Sequence, residues 1–121
     1  MPSPRSRVGR SAEILAASEL GKRGYEIIAS NYRCRRGEID LICRDGDCLV
    51  FVEVRCKRTS EYGSPAESIT PAKVQKLYAT AQQYLSDHEM SDIPCRFDVV
   101  EVVSENGKLL VRDILRDAFA S

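Results

Sequence analysis

The chain has 121 residues, 43% hydrophobic and 30% charged, a length and balance suited to one folded domain with its own core. Eighteen basic and eighteen acidic residues give a net charge of zero, which argues against a general polyanion binder. No apolar run approaches the ~20 residues of a membrane span, and the basic start Met1–Arg7 lacks a signal peptide's apolar stretch, so a cytoplasmic protein with no membrane contact is expected.

The charge is unevenly spread. Residues 1–36 carry eight Arg/Lys and three Asp/Glu, while residues 37–121 carry ten and fifteen. A basic first third beside an acidic remainder suits a polyanion held near a metal site; it equally suits two halves that attract each other. The five cysteines are Cys34, Cys43, Cys48, Cys56 and Cys95, with one histidine, His88, and no Cys-x-x-Cys. A zinc site is not expected; reduced, mostly buried thiols are.

Residues 1–6 read as a loose arm on a single domain covering 1–121. A helix is predicted from Arg7 to Arg23, stopped by Gly24. Val8, Ala12, Leu15, Ala16 and Leu20 form one stripe at 100° per residue. Glu13 lies on its margin, about 20° from Leu20, where a carboxylate can lean over the edge of a sheet. Glu19 falls near the middle of the stripe with no evident reason. Tyr25–Ser30 reads as a strand, and Asn31–Gly37 as a turn carrying Arg33, Arg35 and Arg36, which could grip phosphates.

Residues 37–57 form the most informative stretch. Two runs rich in β-branched and aromatic residues flank Asp45-Gly46, a strong hairpin signal. With Asp45 and Gly46 as the turn, Cys43 faces Cys48 and Asp40 faces Phe51. One face then carries Ile39, Leu41, Cys43, Cys48, Val50, Val52, Val54 and Cys56. The other carries Glu38, Asp40, Ile42, Leu49, Phe51, Glu53, Arg55 and Lys57. Asp40 and Glu53 become diagonal neighbours roughly 5–8 Å apart. Opposed carboxylates repel, and either Arg55 and Lys57 or a divalent cation with oxygen ligands would compensate.

Arg58–Ile69 reads as a polar loop. Thr70-Pro71 opens a second helix, Thr as N-cap and Pro at the first helical position, with an apolar face of Val74, Leu77, Tyr78, Ala81 and Leu85. Lys73 and Lys76 lie off that face and are candidate phosphate contacts. Arg96–Val103 is a strand, turned by Glu105-Asn106-Gly107 into Lys108–Ile114, with a short closing segment that could bury Phe119. The order is α-β-β-β-α-β-β, an α/β fold. The third strand, second helix and fourth strand make a right-handed crossover with parallel pairing, so the sheet is a mixed one of five strands.

Glu13, Asp40 and Glu53-Val54-Arg55 match the ordering of the PD-(D/E)xK nucleases, similar to that in archaeal Holliday-junction resolvases. More closely, Gly37-Glu38-Ile39-Asp40-Leu41, Phe51-Val52-Glu53-Val54-Arg55, Gly63-Ser64-Pro65-Ala66-Glu67, Thr70-Pro71-Ala72-Lys73, Arg96-Phe97-Asp98-Val99-Val100 and Ala118-Phe119 resemble the YraN family of small bacterial proteins. The resemblance implies a restriction-endonuclease-like three-layer fold, helices flanking the sheet, and hydrolysis of DNA phosphodiesters on branched or single-stranded substrates. It implies Mg²⁺ or Mn²⁺ held by Asp40, Glu53 and Glu13, with the carbonyl of Val54 helping. Arg55 would be the basic catalytic residue, and Arg33, Arg35, Arg36, Lys57, Arg58, Lys73 and Lys76 would contact nucleic acid; a homodimer is compatible. Position 55 is Arg where the motif has Lys, and Arg cannot give up its proton under ordinary conditions. A non-catalytic nucleic-acid or protein adaptor on the same fold is therefore the alternative.

Overall fold

Seven elements follow in the expected order: α1 (Pro4–Lys22), β1 (Glu26–Cys34), β2 (Gly37–Asp45), β3 (Cys48–Arg58), α2 (Pro71–Asp87), β4 (Cys95–Glu105) and β5 (Lys108–Leu115). The computed structural model describes residues 4–58, 69–90 and 92–119. The polar loop with Gly63–Glu67 lies outside them, as do the side chains of Val8 and Arg58. The strands form one sheet in the order β1-β2-β3-β4-β5. All pairs are antiparallel except β3–β4, because α2 carries the chain back across the sheet before β4 begins.

The helices cover opposite faces. Ala12, Ala16 and Leu20 of α1 are buried against Leu41, Cys43, Val50, Val52, Val100 and Val102. Leu77, Ala81 and Tyr84 of α2 are buried against Ile39, Ile42, Leu49, Phe51 and Phe97. The α2 face is rotated from the predicted one: Thr80 and Tyr84 are buried, whereas Tyr78 is exposed. Tyr84 meets Tyr32 and Phe51 edge-on, and Tyr78 packs its ring on Phe97 and donates to the carbonyl of Phe119. Glu19 is explained by an ion pair with Arg23 at 3.2 Å. Among the described residues, no helix is long and apolar enough to cross a membrane.

Several boundaries move. α1 begins at Pro4, a residue preset for a first helical turn, so residues 4–6 are helix and not arm. β1 continues to Cys34, since Tyr32, Arg33 and Cys34 pair with Ile39, Glu38 and Gly37; Arg33 is a strand residue. The β2–β3 turn falls one residue later than predicted, with Asp45 opposite Cys48 and Cys43 opposite Val50. Gly46 and Asp47 are its central residues, Gly46 at φ +60°, as in a turn of type II′. Every opposite partner shifts by two, so faces are conserved over the paired residues 41–45 and 48–52, but Cys43 and Cys48 no longer oppose each other. Both edge strands bulge: Ile28 is the extra residue on β1 and Arg112 the extra residue on β5.

A polar cluster locks the end of the sheet beside the β2–β3 turn. Asp98 is fully buried. Its carboxylate accepts from Tyr25 Oη at 2.8 Å, Arg96 Nε at 2.9 Å and the Asp117 N–H at 3.0 Å. Arg96 also donates to Asp45 Oδ2 at 2.8 Å. Three chain segments meet at this one carboxylate, and Arg96 ties in a fourth through Asp45. Asp98→Ala leaves the Tyr25 hydroxyl and the Asp117 N–H without their acceptor and Arg96 with Asp45 as its remaining acidic partner, and is expected to cost about 3–5 kcal/mol of unfolding free energy, read as a lower urea midpoint.

Candidate metal and phosphate site

The regular alternation of β2 fails at Asp40. Ile39 packs with the α2-side core and Leu41 with the α1-side core, so the expectation that they share a face does not hold. The β2–β3 ladder has its last paired residues at Leu41 and Val52. Beyond them the Val54 N–H is taken at 2.8 Å by the Asp40 side chain, through Oδ2. A carboxylate thus stands where a strand carbonyl would be, and the two strands can part around it.

Glu13, from α1, meets this point. Ligand oxygens of Glu13, Glu38 and Asp40 all lie within 4.8 Å of one another, each group half-buried. Glu38 belongs to the predicted acidic face but not to the ligand set the resemblance implies; its spacing of two from Asp40 is the signal that places it. The observed register moves Glu53 from a diagonal position to the one across from Asp40, just past the end of the ladder. Glu53 is 5% exposed. Arg55 Nη1 lies 3.9 Å from its Oε2, and Lys73 Nζ of α2 lies 3.7 Å away. Lys73 is held there by the capping of its helix, its N–H donating to Thr70 Oγ1 at 3.2 Å. An all-oxygen set of Glu13 from a helix and Glu38 and Asp40 from one strand, with Glu53 of β3 beside Asp40, suits a hard divalent cation.

The other predicted cations divide into two groups. Lys57 is not at a surface: it is 7% exposed, with Nζ 3.1 Å from Glu101 Oε2. Glu101 is buried, and its Oε1 lies 3.0 Å from Arg112 Nε, the bulge residue of β5. Its Oε2 makes no hydrogen bond, so the contact with Lys57 is an ion pair of poor angle. Arg33 pairs with Glu38 at 3.3 Å. Arg35, Arg36 and Lys76 instead line a cleft between the β1–β2 turn and α2. Gly37 sets that spacing. It adopts φ +155°, and a Cβ there would come within 2.8 Å of Thr80 Oγ1, a hydroxyl tied to the Lys76 carbonyl at 2.7 Å.

A profile of the uncharacterised protein family UPF0102 matches residues 12–102. The chain belongs to UPF0102. It is 48% identical over 114 residues to a UPF0102 protein of Symbiobacterium thermophilum, covering 93% of this chain and 96% of that one. It is 46% identical over 119 residues to one from Nitrosococcus oceani, covering 98% and 95%. The span matched to UPF0102 contains all four clustered carboxylates together with Arg55, Lys73 and Lys76.

Electrostatics at the candidate site follow from crowding. Burial, then the neighbouring Asp40 carboxylate, pushes Glu13 up from an ordinary 4.5 to about 7. The same two causes push Glu53 up to about 7, against the opposing pull of Lys73 and Arg55. Both groups hold protons in the folded state at pH values where the unfolded chain has lost them. Their stabilising contribution is therefore complete below about 4.5 and declines as pH rises through about 7. A bound divalent cation reverses the sign by favouring the ionised forms. The wild-type melting temperature should fall between pH 5 and pH 8 in EDTA, with part of that fall absent in Glu13→Gln and part recovered by adding Mn²⁺ at pH 8.

Proposed function

We propose that this chain is a divalent-metal-dependent endonuclease that hydrolyses DNA phosphodiesters, on branched or single-stranded substrates. The observation that carries the reading is the convergence of Glu13, Glu38 and Asp40 oxygens within 4.8 Å, with Glu53 beside them. Four carboxylates at one place are a costly arrangement in a folded protein unless a cation shares it. Mg²⁺ or Mn²⁺ bound there would polarise a phosphate oxygen and lower the pKa of a water.

The protein's own groups divide the remaining work. Asp40 is held in place by the Val54 N–H and is the common neighbour of Glu13 and Glu53. Arg55 keeps its charge and offers a planar fork that holds a phosphate oxygen by two hydrogen bonds; it is a clamp and not a proton acceptor. Lys73 partly neutralises Glu53 from the opposite layer. The absence of a lysine at position 55 favours the second reading, an adaptor that keeps the fold without turnover.

Incubation of the pure protein with Mg²⁺ or Mn²⁺ against duplex, single-stranded, flap and four-way DNAs tests the proposal. On the best substrate, single-turnover cleavage should be abolished by Asp40→Asn together with Mn²⁺ binding in calorimetry. Arg55→Ala should lose roughly 10²–10³-fold, and Arg55→Lys should retain activity. No cleavage of any substrate, or equal rates in all variants, would favour the adaptor.

A further inference from the structure

The cleft between the β1–β2 turn and α2 is lined by Cys34, Arg35, Arg36 and one face of α2, and its volume is about 990 Å³. That is at the upper end of the ~300–1,000 Å³ typical of small-molecule sites, yet its lining is unlike such a site. Among the described residues it is lined by no aromatic side chain, and its helix wall is Ala72, Gln75, Lys76, Ala79, Gln83 and Asp87.

The cations here differ from those around the carboxylates. Arg33, Arg55, Lys57 and Lys73 each have an acidic partner at 3.1–3.9 Å. Among the described residues, no acidic group pairs with Arg35, Arg36 or Lys76. Three charges of one sign, with no acidic partner among the described residues, focus their field on the interior of a concavity. Asp87, the one carboxylate among the cleft's described residues, is engaged at its far end: it accepts from Gln83 Nε2 at 2.8 Å and Tyr32 Oη at 3.3 Å.

The charge also has a direction. Lys76 follows Lys73 by three residues on α2, which makes them neighbours on the helix surface, ~5–6 Å between Cβ atoms. Lys73 reaches Glu53, and Lys76 lies beneath the turn at Gly37. A row of cations therefore runs from the carboxylates along the first turns of α2 to Arg35 and Arg36, and ends before Asp87.

We propose that this cleft is a second binding site, which holds the sugar–phosphate backbone of a single nucleic-acid strand flanking the one at the carboxylates. It takes its substrate class from the nuclease reading and adds where the rest of the strand lies. Recognition is by phosphate, through the guanidinium and ammonium groups, with the Gln75 and Gln83 amides as further donors. Because no aromatic platform among the described residues lines the cleft, binding is indifferent to base identity, unlike single-strand sites that stack bases.

The test is fluorescence anisotropy of a labelled mixed-sequence single-stranded oligonucleotide with the full chain in EDTA, so that binding is read without cleavage. Three phosphate contacts on a single strand give a log–log salt slope of about −2. The Arg35→Ser/Arg36→Ser/Lys76→Gln variant should lose about that slope and at least tenfold in affinity at low salt, with an unchanged melting temperature. Gln75→Lys, which adds a cation to the same wall, should bind more tightly with a steeper slope. No binding by the wild-type protein, or unchanged binding in both variants, overturns the proposal. So does a poly-glutamate peptide that competes as well as the oligonucleotide at equal ionic strength, since the cleft would then serve an acidic protein. Binding that follows these variants without any cleavage would sink the nuclease reading and leave the cleft assigned. Cleavage with unaltered binding in the variants would do the reverse.

Discussion

The hydrogen bond from the Val54 N–H to Asp40 Oδ2 is the contact on which the candidate site depends. It lets β2 and β3 stop pairing without leaving a part-buried donor unsatisfied, a lapse that would cost up to about 1–3 kcal/mol. It also holds an acidic side chain in the gap so made. Glu13 reaches the gap because α1 lies over that face, and Glu53 because it is the first residue of β3 past the last paired position. The acidity of the cluster is thus bound up with the way the sheet ends.

Two layers contribute unequally to this centre. The α1 side supplies Glu13, a carboxylate whose proton affinity is raised by burial and by Asp40. The α2 side supplies Lys73, a cation set in place by Thr70 and the first turn of its helix. Glu53 is the group that feels both layers, burial and Asp40 raising its proton affinity while Lys73 and Arg55 lower it.

Much of this was legible in the sequence, for identifiable reasons. The element order, the mixed sheet and the parallel β3–β4 pair follow from hydrophobic periodicity and from the Thr70-Pro71 helix start. The hairpin was legible, but not its turn residues, because Asp45-Gly46 and Gly46-Asp47 both suit tight turns; the error preserved the faces only because opposite partners shift by two. Ile39 was misplaced because alternation assumes an unbroken ladder, and the Asp40 side chain breaks it. Arg33 was read as a turn residue because β1 is an edge strand whose outward positions are polar. Lys57 was read as a surface cation because nothing local announces Glu101, forty-four positions away, as its partner. The cleft was legible only as a set of basic residues, since its shape depends on the approach of Gly37 to Thr80.

The bulges at Ile28 and Arg112 bear on self-association. An edge strand recruits another chain through an evenly spaced row of free N–H and C=O groups, and an inserted residue interrupts that spacing and increases local twist. In this sheet both free edges carry such an insertion, and on β5 the inserted side chain, exposed along much of its length, pairs with the buried Glu101. Extension of the sheet from one molecule into the next is therefore disfavoured at either border, so any symmetric pairing of two copies would have to use helix or loop surfaces and leave the strands' outer hydrogen-bonding groups to water.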